Sequence, residues 1–367
     1  MKRIPVTTAS RSYDILIDSG ILNNAGTLLR AQLSLRNERV FIATSQNVWQ
    51  LWGRSLTASL EQAGVVPTLL IMPDGEQAKR LTTVEQALES LAESGADRSS
   101  VLLAFGGGVI GDMAGFIAAL YMRGIRVVQV PTTLQAQVDA SIGGKTGVNL
   151  SAGKNLAGSF HQPECVLIDP DVLRTLPERE LRAGMFEVIK SGIIADVGLF
   201  NHCVEKRADI LAGDDRAVEC CIAASAAVKA RVVSQDERES GLRRILNYGH
   251  TIGHALEAAT HYSHFLHGEA VGWGMIAAAY IAQEMQVSSP ETTTTITETV
   301  LAYGALPPVS TDAEEVAHRT RSDKKTVAGR THFVLAPRIG ATTIVSDVPH
   351  SIVVDAVNHV RALSLSA

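Results

Sequence analysis

Between Ile4 and Ile168, short apolar runs alternate with stretches of helical periodicity, the pattern of a parallel, doubly wound α/β sheet. Ile4 to Asp18 alternates like a strand or hairpin, and Val40–Ala43, Thr68–Met72, Val101–Phe105, Val127–Val130 and Val166–Ile168 read as short buried strands. Helical patterns fill the gaps, at Ile21–Leu33, at Val48–Ala63, and at Leu81, Val84, Leu88 and Leu91 on one apolar stripe. From Pro177 onward the pattern is almost wholly helical to about Ala302. Phe186–Ile194, Ala217–Val233, His250–Ala259 and Glu269–Gln286 are the clearest segments. A hairpin over Thr331–Ala336 and Thr342–Ser346 and a last helix to about Leu363 complete the chain. The change of pattern predicts two domains, residues 1–177 (α/β, Rossmann-like) and residues 178–367 (mostly α-helical).

The chemistry begins at the Val101–Phe105 strand, which runs straight into glycines. Gly106, Gly108 and Gly111 keep a G-x-G-x-x-G spacing, and a helix rich in small residues, Met113–Met122, follows. Strand, glycine turn and helix in that order fit a dinucleotide site, where pyrophosphate meets free N–H groups at a helix start. A tight turn without ligand is the plainer reading. No acidic residue closes the next strand, where a ribose partner usually sits, and Asp112 lies inside the turn instead. Upstream, Asp74 or Glu76 stands near a helix start, as a ligand contact or simply as a favourable charge on the helix dipole. Beyond Pro131, Lys145, Lys154 and Asn155 sit on glycine-rich chain. Asp139 stands where a P-loop would need its first glycine, so the segment is an anion site of another kind or a solvated surface loop.

Charge and composition remove several classes. The net charge of −5, with no long basic run, leaves no electrostatic footprint for nucleic acid. No apolar stretch is long enough to span a bilayer, and MKRIPVTTASRSYDILIDSG lacks the apolar centre of a signal peptide, so the expectation is a cytoplasmic protein. Cys165, Cys203, Cys220 and Cys221 have no metal-type spacing, and the adjacent pair reads as small core residues.

Histidines cluster between His250 and His267. His250 and His254 are four apart on one helical face, the spacing that lets two imidazoles approach one metal. Thr251 replaces the glutamate of H-E-x-x-H, which argues against metalloprotease chemistry. Spacing alone pairs His250 with His254. Glu187, on a mostly apolar helix, is the best third ligand, and a salt bridge to Lys190 is its alternative role.

Taken in order, DGEQAK, GGGVIGD, PTTLQAQVDASIGGKTGVN, GKNLAGSFHQP, TLPERELRAGMFEVIK, DERESGLRRILNYGHTIGHALE, LHGEAV and DKK resemble the 3-dehydroquinate synthases over nearly the whole chain. The resemblance implies a Rossmann-like NAD-binding domain, a helical domain holding Zn2+ (or Co2+), and an active site between them. It implies zinc ligands at Glu187, His250 and His267, with His254 facing substrate instead, against the pairing that spacing favours. NAD contacts are implied at Asp74, Glu76, Lys79, Gly107, Gly108, Asp112, Thr132, Thr133, Lys154 and Thr175; Gly111 joins them through the fingerprint. Substrate contacts are implied at Arg123, Asp139, Lys145, Asn155, Lys190, Lys229, Arg243, Asn247 and His254, and at one of Lys324 and Lys325.

The implied reaction, in the shikimate pathway, converts 3-deoxy-D-arabino-heptulosonate 7-phosphate to 3-dehydroquinate and phosphate. It proceeds by NAD-mediated oxidation, β-elimination, reduction and an intramolecular aldol step. Lys145, Arg123 and His254 suit a phosphate, and Lys229 with Arg243 suits a carboxylate. A homodimer is the family expectation. Other sugar phosphate cyclases, acting on substrates without the carboxylate, and metal-dependent polyol dehydrogenases are the competing activities. A non-catalytic binding module is the remaining class.

Overall fold

The structure, a computed structural model, describes residues 1–304, 306–321, 331–346 and 348–366. It divides into two compact units, Met1–Pro177 with Lys229–Arg238, and Glu178–Val228 with Glu239–Ala367.

The first unit is built on a seven-stranded sheet. Its strands are β1 (Lys2–Thr7), β2 (Ser12–Ile17), β3 (Val40–Ser45), β4 (Thr68–Met72), β5 (Val101–Gly106), β6 (Arg126–Pro131) and β9 (Cys165–Ile168), in the spatial order β1-β2-β9-β6-β5-β3-β4. All neighbours are parallel except β1, which pairs antiparallel with β2. Every residue of β3 and β5 is buried, as the unbroken apolar runs of a sheet covered on both faces require. Edge strand β1 carries Lys2, Arg3 and Pro5, residues that discourage further pairing. The strand order reverses between β3 and β5. The crevice at the carboxyl ends of those two strands is where doubly wound sheets take ligands.

One segment departs from the sequence expectation. The chain after Pro131 is no open loop: Ala136–Ala140 forms a π-helical turn, and β7 (Lys145–Leu150) pairs antiparallel with β8 (Gly153–Phe160). This hairpin packs on the Gly108–Leu120 helix, where Gly115 allows close approach, while Gly147 and Gly158 let the two strands of the hairpin approach each other. A Cβ on Gly115 would lie 2.4 Å from Thr146 Cγ2.

The second unit is helical around His267–Glu284, a helix buried along nearly its whole circumference, with Trp273 inside. Around it lie the helices Glu178–Ala195, His250–Ala259, Pro290–Ala302 and His350–Ser366 and the hairpin of β10 (His332–Arg338) and β11 (Ala341–Ser346). The paired cysteines separate: Cys221 is buried, but Cys220 is exposed, because neighbours on a helix point about a quarter-turn apart. No helix among the described residues is long and apolar enough to cross a membrane.

Candidate active site

In the first unit, the glycine turn closes β5. Gly107 caps the Gly108–Leu120 helix without any side-chain partner, so the first N–H groups of the helix are free of a side-chain cap. The Thr132 N–H bonds Gly106 O at 2.9 Å, and the Thr133 methyl would lie 3.0 Å from a Cβ on Gly107. These contacts hold Thr132 and Thr133, at the end of β6, against the turn. Gly111 has a packing duty, since Gln129 Nε2 donates to its carbonyl and a Cβ there would meet Gln129 Oε1 at 2.9 Å.

Beside this turn lies a polar network. Buried Lys79 donates from Nζ to Asp112 Oδ2 and to Asn155 Oδ1, both at 2.6 Å. Burial pushes the Asp112 carboxyl up, and Lys79 pulls against it. Asn149 donates to Glu76 Oε1 at 2.7 Å, and Lys154 Nζ stands 3.8 Å from the same oxygen. Glu76, Lys79, Asp112, Lys154 and Asn155, read from separate motifs, therefore meet. Asp74 is exposed and receives the Gly75 N–H, while the exposed Thr175 accepts from Trp52 Nε1 at 2.9 Å. Lys229 reaches the π turn, where its Nζ bonds both the carboxylate and the carbonyl of Asp139 at 2.7 Å. Lys145 opens β7, exposed, and Arg123 is exposed with φ of 69° in a turn whose preceding residue, Met122, is also left-handed.

In the second unit, donors converge from three helices. Glu187 comes from the middle of Glu178–Ala195, while His250 and His267 are the first residues of theirs. Glu187 Oε1 lies 3.6 Å from His250 Nε2 and 3.4 Å from His267 Nε2. Ligands about 2.1 Å from a tetrahedral zinc lie roughly 3.4 Å from one another, so the donor set fits such an ion. Each ring is fixed from behind. His250 Nδ1 donates to Tyr248 O at 3.1 Å, and His267 Nδ1 lies 3.1 Å from Glu257 Oε2, which leaves both Nε2 atoms facing Glu187.

His254 belongs to the same cluster: the ligand atoms of the three histidines lie within 4.8 Å of one another. Lys190 pairs with the second oxygen of Glu187, so the carboxylate serves the salt bridge and the cluster together. Burial disfavours a charged His267, yet Glu257 and Glu187 outweigh it and raise its pKa to about 10. Without a metal, these carboxylates favour a proton on His267, beside the ammonium of Lys190.

Two glycines set the spacing of these helices. A Cβ on Gly268 would lie 1.9 Å from Ala183 O, and one on Gly274 would lie 1.8 Å from Gly249 O, so backbones touch where the ligand segments meet.

Arg243 is buried on the Leu242–Asn247 turn, and Asn247 Nδ2 donates to Glu239 Oε1 at 2.6 Å. Lys324 and Lys325 lie outside the described residues. Asn149, Glu239 and Glu257 escaped the sequence reading. Only Glu257 left a trace, as a carboxylate seven residues after His250 on the same helical face.

Comparison with known proteins agrees over the full chain. Residues 69–183 match the family 3-dehydroquinate synthase N-terminal, and residues 184–326 match 3-dehydroquinate synthase C-terminal. The 3-dehydroquinate synthase of Koribacter versatilis is 50% identical over 99% of both chains, and that of Solibacter usitatus is 49% identical over 97% of this chain and 99% of its own. Among solved structures, 2-epi-5-epi-valiolone synthase from Streptomyces hygroscopicus subsp. jinggangensis 5008, with NAD+ and Zn2+ bound, superposes with a TM-score of 0.88. It is 29% identical, over 96% of this chain and 98% of that one. A fission-yeast glycerol dehydrogenase, from Schizosaccharomyces pombe, shares the fold at a TM-score of 0.69 and 17% identity, over 99% and 91% of the two chains. The convergence of one buried carboxylate with two oriented imidazoles, the glycine turn on a doubly wound sheet and these full-length likenesses agree, and the chain belongs to the 3-dehydroquinate synthase family.

Proposed function

We propose that this protein converts 3-deoxy-D-arabino-heptulosonate 7-phosphate to 3-dehydroquinate and phosphate, with NAD bound in the first unit and zinc held by Glu187, His250 and His267. The observation that carries the reading is the meeting of Glu187 Oε1 with the two imidazole Nε2 atoms, in a chain half identical to synthases over its whole length. Cobalt(II) suits the same N/O donor set. When bound, the NAD supplies a reversible hydride acceptor and the metal a Lewis acid that polarises substrate oxygens.

The remaining residues bind, orient and move protons. The uncapped helix start at Gly107 and Gly108 suits the pyrophosphate, with Gly111 allowing close helix packing. Asp74, Glu76, Lys79, Asp112, Thr132, Thr133, Lys154 and Thr175 complete the dinucleotide site. Lys79 neutralises Asp112 and orients Asn155 through one ammonium. Arg123, Lys145 and His254 take the phosphate, whose charge needs several donors. Lys229, held by Asp139, and buried Arg243 take the carboxylate, with Asn247 oriented by Glu239. Lys190 neutralises Glu187 and donates to substrate oxygens. Four unpaired cysteines suit a reducing cytoplasmic setting, and a homodimer is the assembly we propose.

Phosphate release from the heptulosonate, with and without chelator, tests this. The expected result is release without net NADH, abolished by chelation and restored by zinc. Accumulating NADH would favour a polyol dehydrogenase, and preference for sedoheptulose 7-phosphate would favour a valiolone-type cyclase.

A further inference from the structure

Asn149 is a buried side chain that none of the functional assignments above uses, yet it touches both loops that carry them. It lies on β7 where the register with β8 slips, between Val148 opposite Ala157 and Leu150 opposite Gly153. That irregularity frees its backbone N–H from the hairpin, and the N–H bonds Lys79 O at 2.8 Å. Its carboxamide nitrogen donates to Glu76 Oε1 at 2.7 Å and to Glu76 O at 3.3 Å. Its carboxamide oxygen accepts the Asn155 N–H at 2.8 Å. Asn155 is held at φ 52°, a left-handed backbone that asparagine tolerates better than most residues, and the Asn149 carboxamide steadies it there.

We propose that Asn149 is a positioning residue that locks the Gly75–Lys79 turn and the β7–β8 turn into one arrangement, so that Glu76 and Lys79 face the dinucleotide while Asn155 faces the substrate. The inference rests on the assignment of those residues to NAD and substrate above. The required chemistry is specific to asparagine. One arm must donate to a carboxylate, and the other must accept a main-chain N–H within the same short reach. Aspartate keeps the acceptor arm and sets a like charge against Glu76. Alanine loses both arms, and glutamine is one methylene too long for the pocket.

The test separates the two arms by measuring NAD+ affinity by titration calorimetry, and kcat and substrate KM by phosphate release. Asn149→Asp is expected to weaken NAD+ binding about tenfold or more while substrate KM stays within about twofold. Asn149→Ala is expected to weaken both. In a Glu76→Gln background the amide can donate to the new aspartate, so Asn149→Asp is expected to change NAD+ affinity by less than about twofold. This cycle compares isosteric proteins, so it stands even if the alanine variant does not fold. A purely structural role would lower the melting temperature of each variant and leave affinity and KM at wild-type values, which overturns the inference alone. Failure of the wild-type protein to bind NAD+ overturns the cofactor assignment and this inference with it.

Discussion

The two units bring polar groups together in opposite ways. In the first, turns at strand ends meet helix residues in ion pairs: Lys79 with Asp112, and Asp139 with Lys229. In the second, the donors stand on helices inside the core. Glu187 and Glu257 are both buried; Lys190 pairs with Glu187, and the His267 ring lies against Glu257. The first arrangement balances its buried charges in pairs and leaves Lys145 and Arg123 exposed at its edge. In the second, two carboxylates favour a proton on His267, and a divalent ion would take that proton's place. A loop network can be tuned one hydrogen bond at a time, while a helical donor set stands or falls with its packing.

The sharpest way to break the contrast is Glu187→Gln. It should cut zinc affinity by at least about a hundredfold and abolish phosphate release, while the protein stays folded and still binds NAD+. Metal content after dialysis and NAD+ titration on the same sample measure both. Zinc retained at wild-type level would place the ion elsewhere, with His254 as the alternative ligand.

Packing comes next. Gly274→Ala forces a methyl into Gly249 O and should cost about 3 kcal/mol or more, read from denaturant unfolding, with zinc affinity falling in step. Stability lost with unchanged zinc affinity would uncouple the helix spacing from the donor set.

Lys145→Ala probes the first unit with a smaller effect. It should raise substrate KM roughly tenfold and slow elimination, with NAD+ affinity near wild type. Equal loss of both would show that the lysine serves the dinucleotide.

The mildest effect is on pH. The folded protein holds the His267 proton more tightly than the unfolded chain, so this stabilisation is complete below the ordinary histidine value. It drains away as pH rises through about 10. Metal-free protein should therefore show a falling melting temperature over that alkaline window, and zinc-saturated protein should not. A metal-free profile that stays flat would remove the proton from its role as stand-in cation.

Much of this was legible in the sequence for local reasons. Strands β3 and β5 announce themselves because a sheet covered on both faces demands unbroken apolar runs, and the glycine turn lies beside β5 in sequence as in space. The helical second half shows in its periodicity, and the His250–His254 pair shows because four residues make one turn. The β7–β8 hairpin was hidden. Its glycines and small polar residues match a loop, and only the pairing of the two strands and their contact with the Gly108–Leu120 helix reveal them as close-packed.

Spacing also cannot weigh Glu187 against His254, since Glu187 approaches from a helix sixty-odd residues away and its distance to two imidazoles is a tertiary fact. Asn149 and Glu257 are silent for the same reason. The sequence by itself determined the elements, the class and the pool of chemical groups, because these follow from periodicity and residue type along the chain. Tertiary structure alone decided which carboxylate meets which imidazole and which asparagine joins two loops, because hydrogen bonds and coordination act over about 3 Å of space, whatever the separation in sequence.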